Sequence, residues 1–109
     1  MPVDNTDVID FASIDKENNA VLTISDHLDW SDSDSHCYIL QTKINSYLTS
    51  IENGALFKQY PKATGRKIII EIIFKHPPGN EEIIFLNKVA GILTAAGYGL
   101  LYNTIASSH

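Results

Sequence analysis

The alternation of apolar and polar residues predicts four β-strands. Ile9 and Phe11 flank Asp10, and Leu22 and Ile24 flank Thr23, so apolar side chains recur with a period of two. A third segment is a dense run of β-branched residues, a composition typical of a central strand. The polar residues 15–19 predict a hairpin turn between the first two strands. The predicted strands are residues 8–14, 20–24, 67–75 and 98–104.

Apolar residues at three- and four-residue spacing predict two helices. The first spans residues 34–53, with Ser33 or Asp34 as its N-cap and Gly54 at its end. The second begins at Asn80, which is the predicted cap, and ends at Gly97. The predicted buried residues are Cys37, Leu40, Ile44, Tyr47, Leu48 and Ile51 in the first helix, and Phe85, Leu86, Val89, Ala90 and Leu93 in the second.

The element order β-β-α-β-α-β predicts an α+β fold, a two-layer α/β sandwich. Right-handed crossovers make strands two, three and four parallel and the first strand antiparallel, with both helices on one face of a four-stranded mixed sheet. Strand adjacency does not follow from the pattern. We expect one domain over residues 1–109, with flexible tails at residues 1–7 and 107–109 and a plain connection at residues 55–64.

Composition and charge restrict the functional classes. The net charge is −5, and residues 1–34 hold nine Asp and Glu against one Lys. An acidic surface argues against nucleic-acid binding; it either attracts a basic protein partner or only aids solubility. The sequence has no signal-peptide pattern and no apolar run near the roughly 20 residues that span a bilayer, so we expect a cytoplasmic protein without membrane contact. One cysteine excludes an internal disulfide.

The densest candidate site follows the second strand. Its residues are Asp26, His27, Asp29, Trp30, Asp32, Asp34 and His36. His and carboxylate side chains are ligands for zinc, manganese or iron, but Asp26 and His27 point to opposite faces if both are extended. No helical His pair and no calcium-loop pattern is present. A structural role in the turn and at the helix N-terminus explains most of the cluster, and the sequence predicts neither a metal nor a cofactor.

Signals for other chemistry are weak. Cys37 lies on the apolar stripe of the first helix, although its position near the helix N-terminus leaves an activated thiolate open. Ser25 is not part of a nucleophile elbow, since no Gly-x-Ser-x-Gly motif occurs. Residues 63–67 lack the spacing of a phosphate-binding loop. The sequence therefore favours a protein without catalytic residues.

Two surfaces are candidate interfaces. Gln41 and Asn45 lie on the exposed side of the first helix, with Lys43 nearby. Uncharged polar residues there suit either a partner interface or ordinary contact with solvent. In the third strand, Ile69 and Ile73 flank Glu71 on the face opposite the predicted helices. A partly apolar open face predicts a homodimer or partner surface, unless another segment covers it.

Several segments together resemble a family of small bacterial proteins whose domain has no assigned function. The most specific is Ile24-Ser25-Asp26-His27-Leu28-Asp29-Trp30; residues 8–11, 40–47, 51–54 and 60–63 also contribute. The resemblance implies a stand-alone domain and brings no catalytic residues with it.

The sequence thus leads to two functional hypotheses. The first is a non-enzymatic protein-binding domain, in its most concrete form an immunity or antitoxin-type inhibitor of a toxic enzyme. The second is a metal- or small-ligand-binding protein, or an enzyme, that uses Asp26, His27 and His36. The second hypothesis requires these side chains to converge in space.

Overall fold

The structure is a computed structural model, and it describes residues 11–105. The elements of the described chain are β1 (Phe11–Ile14), β2 (Ala20–Asp26), α1 (Ser33–Glu52), α2 (Ala55–Gln59), a 3-10 turn (Pro61–Ala63), β3 (Ile68–Phe74), α3 (Asn80–Ala95) and β4 (Gly99–Thr104). The predicted start of the first strand at residues 8–10 and the predicted tails lie outside the described residues. None of the helices within 11–105 is long and apolar enough to cross a membrane.

The four strands form one mixed sheet in the order β1-β2-β3-β4. β1 is antiparallel to β2, whereas β2, β3 and β4 are mutually parallel, as predicted. Each crossover between parallel strands moves one position along the sheet, so strand order follows sequence order. The fold class and the parallel arrangement are therefore confirmed, and the structure supplies the strand adjacency that the sequence left open.

The core lies between one face of the sheet and the helices. Alternate residues of β2 and β3 are buried there, including Leu22 and Ile70, and they pack against Leu40 of α1 and Leu86 of α3 in a single cluster. Burying both helices against the same face removes their apolar stripes from water, which is the main stabilising term of such a fold. The opposite face of β3 carries Ile69, Glu71 and Ile73, all half-buried.

The connection between α1 and β3 is more ordered than predicted. Instead of a plain loop it contains α2 and the 3-10 turn, because Gly54 adopts a left-handed conformation (φ 84°) that ends α1 and immediately starts α2. Leu56 and Ala63 from this segment are fully buried. The prediction of two helices therefore missed a third, short one.

Three residue-level predictions were wrong. The side chain of Asp32, rather than Ser33 or Asp34, caps α1 by accepting the amide of Ser35 at 3.2 Å. Gly79, rather than Asn80, is the N-cap residue of α3. Lys43, expected near the exposed side of α1, is completely buried, with its ammonium group 5.3 Å from the centre of the Tyr47 ring.

Candidate functional site

The predicted cluster lies where β2 ends and α1 begins. β2 ends at Asp26, whose carbonyl oxygen accepts the amide of Lys75 at 2.8 Å, so the turn starts beside the end of β3. Residues 27–32 then lead into α1. Since β2, β3 and β4 are parallel, this is the carboxyl edge of the sheet, where α/β proteins commonly place their functional residues.

Asp26 and His36 form a buried pair at the centre of this end. Both residues are 2% exposed, and Nε2 of His36 lies 2.5 Å from Oδ2 of Asp26. The other carboxylate oxygen of Asp26 accepts the amide of Leu28 at 3.1 Å. The other ring nitrogen of His36, Nδ1, lies 2.9 Å from the carbonyl oxygen of Asp29. Every polar atom of the two side chains therefore has a partner within the protein.

These contacts determine where the ring of His36 carries its protons. A carbonyl oxygen only accepts, so Nδ1 must carry a proton toward Asp29. At 2.5 Å from a carboxylate oxygen, Nε2 must share a proton with Asp26, whichever group formally holds it. His36 thus has no free lone pair in this arrangement, and it serves neither as a metal ligand nor as a general base without breaking one of the two contacts.

Trp30 covers one face of the His36 ring. Its ring stacks on that of His36 with a centroid distance of 3.7 Å and an interplanar angle of 19°. Its indole N–H donates to the carbonyl oxygen of His76 at 3.1 Å, and it also contacts Phe74 with ring centroids 5.7 Å apart. One residue therefore connects the turn, α1 and the segment after β3, and it shields the Asp26–His36 pair from water.

The remaining carboxylates of the cluster are exposed. Asp29, Asp32 and Asp34 all lie on the surface, and the hydroxyl and amide of Ser31 hold the pKa of Asp29 below its usual range. Beside Asp29 and Asp32 is a shallow pocket of about 270 Å³, lined by Leu28, Asp29, Ser31, Asp32, Ser35, His36 and Ile39. The end of the molecule thus has an internal layer of satisfied polar groups and an external layer of negative charge.

His27 does not join this arrangement. It is exposed, whereas its neighbour Asp26 is buried, as expected for adjacent residues at a strand end. The structure brings Asp26 and His36 together, with Asp29 contributing its backbone carbonyl. Over residues 11–105 no group of three or more His, Cys, Asp or Glu side chains is arranged to hold a metal ion.

Ser33 and Glu82 join this end to α3, a contact the sequence pattern did not indicate. The hydroxyl of Ser33 donates to the Glu82 carboxylate at 2.5 Å, and the other carboxylate oxygen accepts the amide of Gly79 at 2.9 Å. The Ser33 hydroxyl is the main reason that the pKa of Glu82 lies below its ordinary value. The N-termini of α1 and α3 are thereby connected.

The surroundings of Cys37 disfavour its thiolate form. Its pKa is raised, first by burial and further by the carboxylates of Glu82, Asp34 and Asp26, although a hydrogen bond with Ser33 opposes the shift. The nucleophilic form of a thiol is the thiolate, and these surroundings disfavour it. The surroundings of Cys37 therefore count against the hypothesis of an activated thiolate at the helix N-terminus.

The two predicted surfaces lie away from this end. Gln41 and Asn45 are exposed on α1 and border a groove of about 230 Å³ between α1 and α3, whose apolar walls include Leu48, Phe85 and Ile92. On the open face of the sheet, Glu71 accepts a hydrogen bond from the side-chain amide of Asn103 at 3.1 Å.

A mixed sheet covered by helices on one face, with a polar strand-to-helix end, defines a small two-layer domain of the α+β class. The family model described as "Family of unknown function (DUF6572)" matches residues 1–106, and the chain belongs to that family. This confirms the resemblance to a family whose domain has no assigned function. No curated protein and no solved structure is significantly similar to the chain.

Proposed function

We propose that this chain is a non-enzymatic protein-binding domain that docks a basic partner through its acidic end. The acidic end comprises Asp29, Asp32 and Asp34 around the start of α1, and Glu81 at the start of α3. All four residues are exposed. The observation that carries the proposal is this outward layer of carboxylates above the internally satisfied Asp26–His36 pair.

The internal layer supports binding rather than catalysis. His36 uses both ring nitrogens within the protein, and within residues 11–105 no buried side-chain nitrogen or oxygen lacks a hydrogen-bond partner. Catalytic groups need a free lone pair or proton directed at a substrate. The exposed carboxylates have no such constraint, because they attract cations through their field alone.

Charge is unevenly distributed along the molecule. The segment before β3 carries exposed basic residues, namely Lys58, Lys62, Arg66 and Lys67, with exposed Glu17 in the turn before β2. The acidic end lies at the carboxyl edge, where Lys75 is an exposed cation. The excess of carboxylates at the carboxyl edge therefore steers a partner with a cationic surface toward that end, which gives orientation as well as rate.

The most concrete form of this proposal is an immunity or antitoxin-type inhibitor. An enzyme that acts on a polyanionic substrate has a cationic active-site surface, and clustered carboxylates mimic the charge of that substrate. The net charge of −5 suits this role. A cytoplasmic setting is part of the proposal and is in keeping with the single cysteine.

The test compares two double variants with the same change in charge. Asp32→Asn with Asp34→Asn removes two of the four negative charges of the acidic end and keeps a capping oxygen at residue 32. Glu17→Gln with Glu52→Gln neutralises exposed carboxylates elsewhere. Each protein is immobilised, partners are captured from host lysate and purified, and their Kd and enzymatic activity are measured with and without the domain.

We expect to capture a basic partner, and we expect its Kd to rise about tenfold or more for the acidic-end variant. The control variant binds with the affinity of wild type. Binding weakens as salt increases, since exposed charges are screened. Equal affinity of both variants, or failure of the wild-type protein to capture any partner, contradicts the proposal.

The pocket of about 270 Å³ beside Asp29 and Asp32 favours a second candidate, a small-ligand or metal-binding protein. A native mass spectrum of untagged protein, purified without chelator, tests it. Extra mass that disappears on Asp29→Asn supports this candidate, and the mass of the bare chain or its dimer counts against it.

A further inference from the structure

The two edges of the sheet differ in how they are protected against pairing. β1 continues into the charged turn residues Asp15, Lys16 and Glu17. Charge is a device that prevents an edge strand from pairing with another chain. β4, at the opposite edge, has six residues and carries no charge.

The absence of charge extends well beyond β4. From Val89 to Ser108 the sequence contains no Asp, Glu, Lys or Arg, although these residues make up 19% of the chain. This stretch includes the second half of α3 and the whole of β4. A protein surface without charge over such a length is typical of a region that other protein covers.

The backbone of β4 presents hydrogen-bonding groups outward. The amide of Ile105 donates to the carbonyl oxygen of Phe74 at 2.8 Å, so alternate residues from Ile105 backward direct their backbone groups toward β3. The N–H and C=O groups of Leu100, Tyr102 and Thr104 therefore point away from the sheet. Within residues 11–105 no further strand lies beyond them.

The flank of α3 above this edge is also free of charge. One side of α3 faces α1 through Phe85 and Ile92, and Leu86 and Leu93 point into the core. By helical periodicity, four uncharged residues lie on the opposite side of α3, which faces the β4 edge. These residues are Ile83, Asn87, Ala90 and Thr94.

We propose that the β4 edge is a homodimer interface, in which β4 pairs antiparallel with β4 of a second copy about a two-fold axis. The axis passes beside Tyr102, whose N–H and C=O bond their equivalents, while Thr104 pairs with Leu100 of the partner. The product is a continuous eight-stranded sheet with the two α3 helices side by side.

A second copy is the occupant that fits best. A two-fold interface sets each surface against itself, so a charged edge repels its copy whereas an uncharged one does not. Both β4 and the flank of α3 beside it are uncharged, so both can lie against their own copies. The interface lies on a different side from the acidic end, so this proposal holds or fails independently of the proposed function.

The test uses the full untagged chain and measures its mass by sedimentation equilibrium over a range of concentrations. Thr104→Pro removes one outward N–H without removing a bond to β3, and Thr104→Val is the matched control that keeps it. By symmetry the dimer loses two hydrogen bonds in Thr104→Pro, and we expect its dissociation constant to rise about tenfold or more. Thr104→Val stays dimeric.

A second pair of variants separates this edge from the open face of the sheet. Leu101 and Phe11 lie in the same cross-strand row, at opposite edges of the open face, and are 51% and 60% exposed. We expect Leu101→Lys to weaken the dimer and Phe11→Lys to leave it intact. This pair also keeps the proposal testable if Thr104→Pro fails to fold, which circular dichroism detects.

Three results overturn the proposal. The first is a wild-type chain that remains monomeric at the highest concentration. The second is a dimer that Thr104→Pro does not weaken although the variant folds. The third is equal loss of dimer in Leu101→Lys and Phe11→Lys, which assigns the interface to the open face around Ile69 and Ile73. A monomeric chain that loses a foreign partner on Thr104→Pro assigns the edge to that partner instead.

Discussion

His36 shows how the same residue types serve either structure or chemistry. A His beside a carboxylate is common in active sites, but there one ring nitrogen is directed at a substrate or metal. Here both nitrogens are bonded within the turn, and Trp30 covers the ring face at 3.7 Å. The arrangement holds the entry of α1 against the end of β2.

The Asp26–His36 contact was not predictable from the sequence. The two residues lie ten positions apart, and their approach depends on the path of residues 27–32, which no periodic pattern describes. The sequence pattern did separate Asp26 from His27, because that follows from strand geometry alone. The pairing of His36 with Asp26 is seen only in the folded structure of residues 27–32.

Cys37 provides a prediction at the residue scale. Because burial and nearby carboxylates raise its pKa, we expect its thiol to react with iodoacetamide more slowly near neutral pH than a free cysteine does. The rate rises only at a higher pH than for the same protein in denaturant, which is the matched control. Alkylation in the folded protein that is faster than in denaturant contradicts the assignment.

Among the elements, the two long helices and strands β2, β3 and β4 were predicted well, whereas the short helix α2 was missed. β3, α1 and α3 repeat their patterns over enough residues to fix their type, and the observed bounds differ from the predicted ones by one or two residues. α2 has five residues, too few to show a helical period. Asp32, Ser33 and Asp34 are all good capping residues, so composition did not distinguish among them.

The Ser33–Glu82 contact provides a prediction at the scale of elements, since it joins α1 to α3. The folded-state pKa of Glu82 lies below its ordinary value of 4.5, so its ionised form stabilises the fold. That contribution is fully present above the unfolded-state pKa and is lost as pH falls through the lower folded-state pKa.

We therefore expect Glu82→Gln to be less stable than wild type at pH 7 in urea unfolding, with the difference shrinking as pH falls below about 4.5. Ser33→Ala, which removes the main donor, reduces this pH dependence. Glu81→Gln is the neighbouring exposed control, and we expect a smaller effect from it. A Glu82→Gln difference that does not change with pH counts against this explanation.

At the scale of the whole molecule, charge and structure divide the end at the start of α1 into two layers. The internal layer contains Asp26, His36 and Trp30, and the external layer consists of the solvent-exposed carboxylates. The sequence identified both sets of residues as one cluster. The sequence pattern did not separate the buried residues from the exposed ones, because their burial depends on how β2, α1 and the segment after β3 pack together.

The measurement that tests this division most directly is the free energy of unfolding in a double-mutant cycle of Asp26→Ala and His36→Phe. His36→Phe keeps a ring beneath Trp30 but leaves a buried carboxylate without its partner, a loss of about 3–5 kcal/mol. Removing both groups leaves no unpaired charge, so we expect the two effects to be non-additive by about 1–3 kcal/mol.

His27→Phe, at an exposed position of the same turn, is the control, and we expect it to change stability by less than about 0.5 kcal/mol. The predicted result is a stabilising coupling free energy between Asp26 and His36, together with a His27→Phe variant whose stability is close to that of wild type. If His36→Phe unfolds with the same free energy as wild type, or if the two effects simply add, the Asp26–His36 pair does not hold the fold together.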